Sequence, residues 1–136
     1  MSSGLAALVK SAVSEFDSCE YLEHENADIR LTFANGTKLR ASYWRLIKAG
    51  GQNLSSFDHG QIYGLPAHID AKKQLWDELR GKEVISANLE AKTGDLIFEI
   101  SNMLELQILN FTGYEVWEIS FPNGSTEYSN HNVPML

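Results

Sequence analysis

The sequence predicts an α+β fold in which two helices pack on a largely antiparallel, twisted sheet. Three observations lead to this prediction. Several short segments alternate apolar and polar residues with a period of two, which is typical of half-buried strands. Turn sequences such as Asn35-Gly36 and Pro122-Asn123-Gly124 separate these segments. Two other stretches, one near the N-terminus and one after Asp70, have the apolar spacing of helices.

The first element is predicted to be an amphipathic helix. Ser2 or Ser3 is a suitable N-cap, and the apolar spacing predicts a helix that continues to about Phe16. Lys10 interrupts the apolar run and no basic residue precedes it, so the segment does not have the pattern of a signal peptide. No apolar run approaches the roughly 20 residues that span a bilayer, and we expect no membrane partner.

A hairpin is predicted between residues 29 and 43. Asn35-Gly36 at its centre favours a type I′ turn, in which both central residues have a positive φ. The alternation on either side of this turn places six apolar residues on one face of the hairpin: Ile29, Leu31, Phe33, Leu39, Ala41 and Tyr43.

The second helix is predicted to begin after the cap Asp70 and to end at Gly81, after a long loop over residues 50–69. Further strands are expected within 82–91, with Val84 and Ile85 buried, on both sides of Asn102, and over residues 116–121. The three tryptophans are expected in the core: Trp44, Trp76 and Trp117.

The chain also contains two similar segments, 27–51 and 94–124, and each follows a helix-like stretch. The matching positions include Asp28 with Asp95, Phe33 with Ile100, Asn35 with Asn102, and Trp44 with Trp117. We predict a single domain over residues 1–136 with a pseudo-repeat whose halves are 1–51 and 70–130. Independent convergence of two hairpin patterns is the alternative explanation.

Charge and cysteine content limit the classes of partner and compartment. The net charge of −7 argues against a nucleic-acid ligand, which requires clustered Lys and Arg. Acidic residues are concentrated between Glu15 and Asp28, a segment without Lys or Arg, which is either a solvated surface or a docking edge for a basic partner. A single cysteine, Cys19, excludes an intramolecular disulfide, and we expect a cytoplasmic protein.

Residues 55–64 read SSFDHGQIYG and combine the residue types of a hydrolase triad. Triads usually draw Ser, His and Asp from distant segments, and the chain has no GxSxG motif. We therefore predict a polar turn in which Ser55, Ser56 and Asp58 bind backbone groups. The four histidines lack metal-binding spacing, so no metal and no cofactor is expected. The alternative is that Asp58, His59 and His68 converge when the loop folds back.

Two phrases carry a resemblance to a known group of proteins. They are SSFDHGQIYGLPAHIDAKKQL and GDLIFEISNMLELQILNFTGYEVWEISFPNGSTEYSN. Over about residues 44–130 the chain resembles a group of small bacterial proteins that are similar to immunity proteins of polymorphic-toxin systems, including contact-dependent inhibition. The resemblance implies a cognate toxin domain as the partner and implies no catalytic residue.

The sequence thus leads us to expect an immunity protein that binds and neutralises a toxin domain, most simply a basic nuclease, and that is not an enzyme. Tyr63, Tyr114 and Tyr128 are interface candidates, although core packing would also explain tyrosines at these positions. The residues expected to contact the toxin are Glu15, Asp17, Glu20, Glu23, Glu25, Asp58, His59 and Tyr63. The alternatives are a small metal- or ligand-binding protein or enzyme that uses the 55–68 loop, and a homodimer joined through an edge strand.

Overall fold

The computed structural model describes residues 2–17 and 27–130. Two helices, ten strands and one 3-10 helix make up the described fold. The helices are α1 (Ser2–Ala6) and α2 (Ala71–Leu79), and the 3-10 helix is Ser56–Asp58. The strands are β1 (Val13–Asp17), β2 (Ile29–Phe33), β3 (Lys38–Ala41), β4 (Trp44–Ile47), β5 (Asn53–Ser55), β6 (Val84–Leu89), β7 (Leu96–Ile100), β8 (Leu104–Ile108), β9 (Trp117–Ser120) and β10 (Thr126–Tyr128).

All strand pairs within the two sheets are antiparallel, so the predicted α+β class and the antiparallel pairing are confirmed. The strands form two five-stranded sheets, ordered β1-β2-β3-β9-β10 and β5-β4-β8-β7-β6. Among the described residues, no helix is long and apolar enough to cross a membrane.

Each sheet combines three strands from one part of the chain with two strands from the other part. The first sheet takes β1, β2 and β3 from the N-terminal part of the chain and β9 and β10 from the C-terminal part. The second sheet takes β6, β7 and β8 from the C-terminal part and β4 and β5 from the N-terminal part. Each part of the chain therefore contributes a two-strand hairpin to the sheet of the other. The predicted halves, 1–51 and 70–130, remain a prediction.

Matching hydrogen bonds accompany this exchange of strands. The indole Nε1 of Trp44 donates to the carbonyl of Ala27 at 2.8 Å, and that of Trp117 donates to the carbonyl of Gly94 at 2.9 Å. Trp44 lies in the second sheet, whereas Ala27 precedes β2 of the first; Trp117 lies in the first sheet, whereas Gly94 precedes β7 of the second. Each indole therefore links one sheet to the other.

The core lies between the sheets and includes both of these indoles. Trp44 and Trp117 are fully buried, whereas Trp76 is partly buried at the edge of the core. Phe33 of the first sheet and Phe98 of the second stack across the core with their ring centroids 6.0 Å apart. These contacts join the two sheets into one hydrophobic core.

The predicted helix to Phe16 is wrong, because α1 ends at Ala6 and β1 begins at Val13. Lys10 has a φ of 72°, which a continuing right-handed helix does not allow. Val13 is fully buried and pairs with Phe33 of β2. Tertiary pairing here overrides a weak helical pattern. The second helix agrees with its prediction, and the Asp70 side chain caps it by accepting from the amide of Lys73.

Two local predictions are also corrected. Asn35 does not have the positive φ of a type I′ turn; residues 34–36 form a three-residue loop in which only Gly36 has one, 94°. The Asn35 side chain accepts from the amide of Thr37 at 3.0 Å and stabilises this loop. Ile85 is exposed, not buried, because the pairing of β6 with β7 is irregular between Val84 and Ser86.

Candidate functional site

The SSFD segment ends β5 and forms the 3-10 helix, and its polar groups bind backbone amides. The Ser55 hydroxyl accepts from the amide of Phe57 at 3.2 Å, and Asp58 Oδ2 accepts from the amide of Ser55 at 2.9 Å. The buried Ser56 hydroxyl accepts from the amide of Trp44 at 3.2 Å. These bonds are those of the predicted polar turn. They use Ser and Asp to hold the backbone of the turn.

His59 joins this turn to the start of α2. Its ring is buried, with 8% of the residue's surface exposed, and Nδ1 accepts from the amide of Ala71 at 3.0 Å. An accepting Nδ1 carries no proton, so this geometry belongs to the neutral ring. The burial does not favour the direct toxin contact predicted for His59, because the ring is enclosed by its own chain.

Residues 61–68 form an exposed loop with a closed base. The amide of Gly60 donates to the carbonyl of Ile69 and the amide of Ile69 donates to the carbonyl of Gln61, both at 2.8 Å. A further contact joins His68 Nδ1 to the carbonyl of Gly60 at 2.7 Å. Because its base is hydrogen-bonded, the loop presents its side chains from a fixed backbone position.

Tyr63 stands at the tip of this loop with 66% of its surface exposed. Its hydroxyl donates to Asp58 Oδ1 at 3.1 Å, which ties the tip of the loop to the 3-10 helix. This hydrogen bond to the carboxylate raises the pKa of Tyr63 above its ordinary value of 10.0. Ile62 and Leu65, on either side of Tyr63, are also exposed apolar residues.

Three aromatic rings form a cluster beside the loop, in which Phe57 and Phe111 are exposed and Tyr43 is partly buried against the core. Tyr43 lies 6.0 Å from Phe57 and 5.6 Å from Phe111, and Phe57 lies 6.0 Å from Phe111, measured between ring centroids. Phe57 and Phe111 are 57% and 58% exposed, although most large apolar side chains of the chain are buried. Mutual contacts between the rings keep the cluster ordered without covering it.

The cluster and the loop form one surface, which we call the contact surface: Tyr43, Phe57, Phe111 and residues 61–68. Asp58 follows Phe57 directly and binds Tyr63, so the loop is held next to the cluster. The sequence predicted Asp58 and Tyr63 as contact residues, and the structure brings these two together. The sequence analysis did not predict that Phe57 and Phe111 lie together. The available signal was a phenylalanine within a polar turn at both positions.

The other predicted contact residues lie elsewhere or are not described. Glu15 is exposed on β1 and borders the outer face of the first sheet. Asp17 lies on the same strand, in register with Arg30. Glu20, Glu23 and Glu25 lie outside the described residues. Glu15 and Asp17, the described members of the predicted acidic edge, thus lie on the edge strand of the first sheet, whereas β5 is an edge strand of the second.

The alternative of a metal site in the 55–68 loop finds no support among residues 2–17 and 27–130. No group of three or more His, Cys, Asp or Glu side chains in these ranges could hold a metal ion. Asp58, His59 and His68 face different partners: the Tyr63 hydroxyl, the Ala71 amide and the Gly60 carbonyl.

Comparison of the chain with protein-family models, curated proteins and solved structures gives no match. The resemblance to immunity proteins therefore remains a prediction from the sequence phrases, and the functional proposal depends on the contact surface.

Proposed function

We propose that this protein is an immunity protein that binds and neutralises a cognate bacterial toxin domain through the contact surface. The observation that supports this proposal is the aromatic cluster in which the exposed Phe57 and Phe111 pack on the partly buried Tyr43. A soluble domain rarely exposes grouped large apolar side chains unless they meet a partner.

The composition of the surface suits a binding site for a protein. Tyrosine, together with tryptophan and arginine, is enriched among the residues that dominate interface energies. The Tyr63 hydroxyl provides a polar group at the edge of an apolar centre, which is the arrangement found in specific interfaces. Such a surface can bury rings against a partner while its rim remains hydrogen-bonded.

The contact surface is also preorganised. The capping bonds of the 3-10 helix, the closed base of the 61–68 loop and the bond from Tyr63 to Asp58 fix its backbone before any partner arrives. Ordering a flexible loop during binding lowers affinity, so a loop that is already ordered avoids this loss.

The proposed partner is a basic domain, and a nuclease suits this description because it must bind a polyanion. The net charge of −7 would steer such a domain toward this protein and speed association at low salt. The sequence resemblance to immunity proteins supports a toxin domain as the particular basic partner. In this proposal the protein acts by covering the toxin's surface and performs no chemistry.

The first test is a pull-down of the tagged chain against the C-terminal domain of the protein encoded beside it, performed at low and at high salt. We expect binding at low salt that weakens as salt rises, because screening reduces the attraction between opposite net charges. The same chain should block the toxicity of that domain in cells. Absence of binding at both salt concentrations, or binding without protection, would contradict the proposal.

A further inference from the structure

Arg45 on β4 carries a positive charge on the outer face of the second sheet, next to the contact surface. Trp44, the residue before it, is fully buried in the core, so the alternation of the strand places Arg45 on the opposite face. Tyr43 shares this outer face, and its carbonyl accepts from the amide of Leu109 at 2.9 Å, which extends the pairing of β4 with β8. Arg45 therefore borders the contact surface beside Tyr43.

One edge of the Arg45 guanidinium is held by a neutral side chain. Nε donates to Gln107 Oε1 at 2.7 Å, and Nη2 donates to the same oxygen. Gln107 lies directly opposite Arg45 in the register of β4 and β8. Its amide nitrogen donates to Glu105 Oε2 at 2.6 Å, and this bond fixes the orientation of the amide. The guanidinium is thus held in one position before any partner binds.

The other edge of the guanidinium has no acceptor among the side chains of residues 4–15 and 27–130. Arginine has five N–H groups, and Gln107 binds two of them. Within the same ranges no carboxylate lies at ion-pair distance from Arg45, and Glu105 reaches it only through Gln107. The three N–H groups that remain, on Nη1 and Nη2, include the pair that binds both oxygens of a carboxylate.

A single carboxylate fits this edge better than other groups. Arg45 is only partly buried, and its bound acceptor is neutral, so a negatively charged group gains more here than a second neutral one. An ion with two negative charges is disfavoured, because Glu105 lies directly opposite Glu99 on the same face of the sheet. The exposed rings of the contact surface next to Arg45 favour a protein as the source of the carboxylate.

We propose that Arg45 binds a carboxylate of the toxin domain and thereby sets the orientation in which this domain docks on the contact surface. This inference rests on the proposed function and adds the chemical group that the partner must present. Phe57 and Phe111 supply apolar area, and Arg45 supplies the directional contact. A basic domain without a carboxylate at this position leaves an arginine unpaired in the interface and is discriminated against.

The test is the affinity of the full chain for the C-terminal domain of the protein encoded beside it, measured by calorimetry. The proteins compared are the unaltered chain, Arg45→Gln, Arg45→Lys and Arg80→Gln, a control at the exposed end of α2. We expect Kd to rise at least about 30-fold in Arg45→Gln, because the carboxylate of the partner loses its arginine. Arg45→Lys should recover part of this loss, since lysine keeps the charge without the two-pronged hydrogen bond. Circular dichroism checks the fold of each variant.

The sign of the effect separates a direct contact from the attraction between net charges. The net charge is −7, and both glutamine variants make the chain more acidic by one charge. A more acidic chain attracts a basic domain more strongly, so attraction alone predicts unchanged or tighter binding for both variants. Only a direct contact of Arg45 with a carboxylate predicts that Arg45→Gln binds more weakly while Arg80→Gln does not.

The group on the partner is identified by replacing the carboxylates of the domain one at a time, Asp by Asn and Glu by Gln. One replacement should lose as much affinity as Arg45→Gln, and the two losses should not add when both are combined. Affinity unchanged in Arg45→Gln, or equal losses in Arg45→Gln and Arg80→Gln, would overturn this inference and leave the proposed function standing. Failure of the unaltered chain to bind the domain would overturn both.

Discussion

Tyr63 is the residue whose ionisation reports most directly on the geometry of the contact surface. Its neutral hydroxyl donates to the carboxylate of Asp58, so ionisation breaks this bond and places two negative charges together. The pKa of Tyr63 is therefore raised above 10.0. The stabilisation from this bond is fully present below pH 10.0 and is lost as the pH rises through the higher pKa of the folded state.

We predict that Asp58→Asn lowers the pKa of Tyr63 toward its ordinary value, because the amide removes the negative charge and accepts a weaker hydrogen bond. An NMR titration of ¹³C-labelled tyrosine rings measures this pKa directly. Asp77→Asn, which changes an exposed carboxylate that binds Lys73, is the matched control and should leave Tyr63 unchanged. An unaltered Tyr63 pKa in Asp58→Asn would show that the loop is not tied to the 3-10 helix in solution.

Met103 occupies a backbone conformation that glycine adopts more easily. Its φ is 62°, and the matching position in the first hairpin is Gly36, with a φ of 94°. The side chain of Met103 is 81% exposed, so little packing is lost on its removal. We predict that Met103→Gly raises the free energy of unfolding by about 0.5–1 kcal/mol, as measured by urea denaturation. The reverse change, Gly36→Met, should lower it, and a stability loss in Met103→Gly would contradict this explanation.

Lys72 is a charged residue on the buried face of α2. It lies on the same face as Leu75 and Leu79, is 2% exposed, and its Nζ has no hydrogen-bond partner in the part of the chain that the structure describes. We predict that Lys72→Met raises the free energy of unfolding by about 1–3 kcal/mol, because burying an uncompensated polar group is costly. Chemical denaturation measures this change.

Lys73→Met is the control for this experiment, because Lys73 is exposed and pairs with Asp77 on the surface. Its effect should stay within about 0.5 kcal/mol. A loss of stability in Lys72→Met would show that the buried ammonium group is not an uncompensated polar group.

Two buried serines stabilise the hairpins, β4-β5 and β9-β10, that each part of the chain contributes to the other sheet. Ser129 accepts from the amides of Val116 and Trp117 at 2.7 and 3.3 Å, and Ser56 accepts from the amide of Trp44 at 3.2 Å. Both hydroxyls therefore act at the start of a strand that carries a buried tryptophan.

We predict that Ser56→Ala and Ser129→Ala each lower the free energy of unfolding by about 1–3 kcal/mol, because each leaves a buried amide without its acceptor. Ser125→Ala, at an exposed turn, should change it by less than about 0.5 kcal/mol. Thermal or urea denaturation of the three variants provides the comparison. A loss at Ser129 no larger than that at Ser125 would mean that water replaces the hydroxyl.

At the level of elements, the sequence was informative wherever local chemistry determines the structure. Asp70 followed by a helical pattern and a terminal Gly81 predicts α2, because the cap and the stop signal are both local. The prediction from the sequence failed for residues 7–17, where Val13 pairs with Phe33 from a distant part of the chain. A pairing partner so far along the chain leaves no mark in the local periodicity.

At the level of the whole molecule, the exchange of hairpins between the sheets could not be predicted. The alternation of apolar and polar residues shows which residues of β4 and β9 are buried. This pattern is the same in either sheet, so it does not show which sheet each strand joins. The contact surface could not be predicted from the sequence either. Tyr43, Phe57 and Phe111 come from three separate segments, and only the folded chain brings them together.

The affinity of the purified chain for the proposed toxin domain, measured by calorimetry for three proteins, tests the contact surface. They are the unaltered chain, Phe57→Ala, and Ile85→Ala, a control whose side chain is similarly exposed on β6. We predict that Phe57→Ala costs at least about 2 kcal/mol of binding free energy, roughly a 30-fold increase in Kd, and that Ile85→Ala has little effect. Equal affinities for all three proteins would show that the partner does not bind at Phe57.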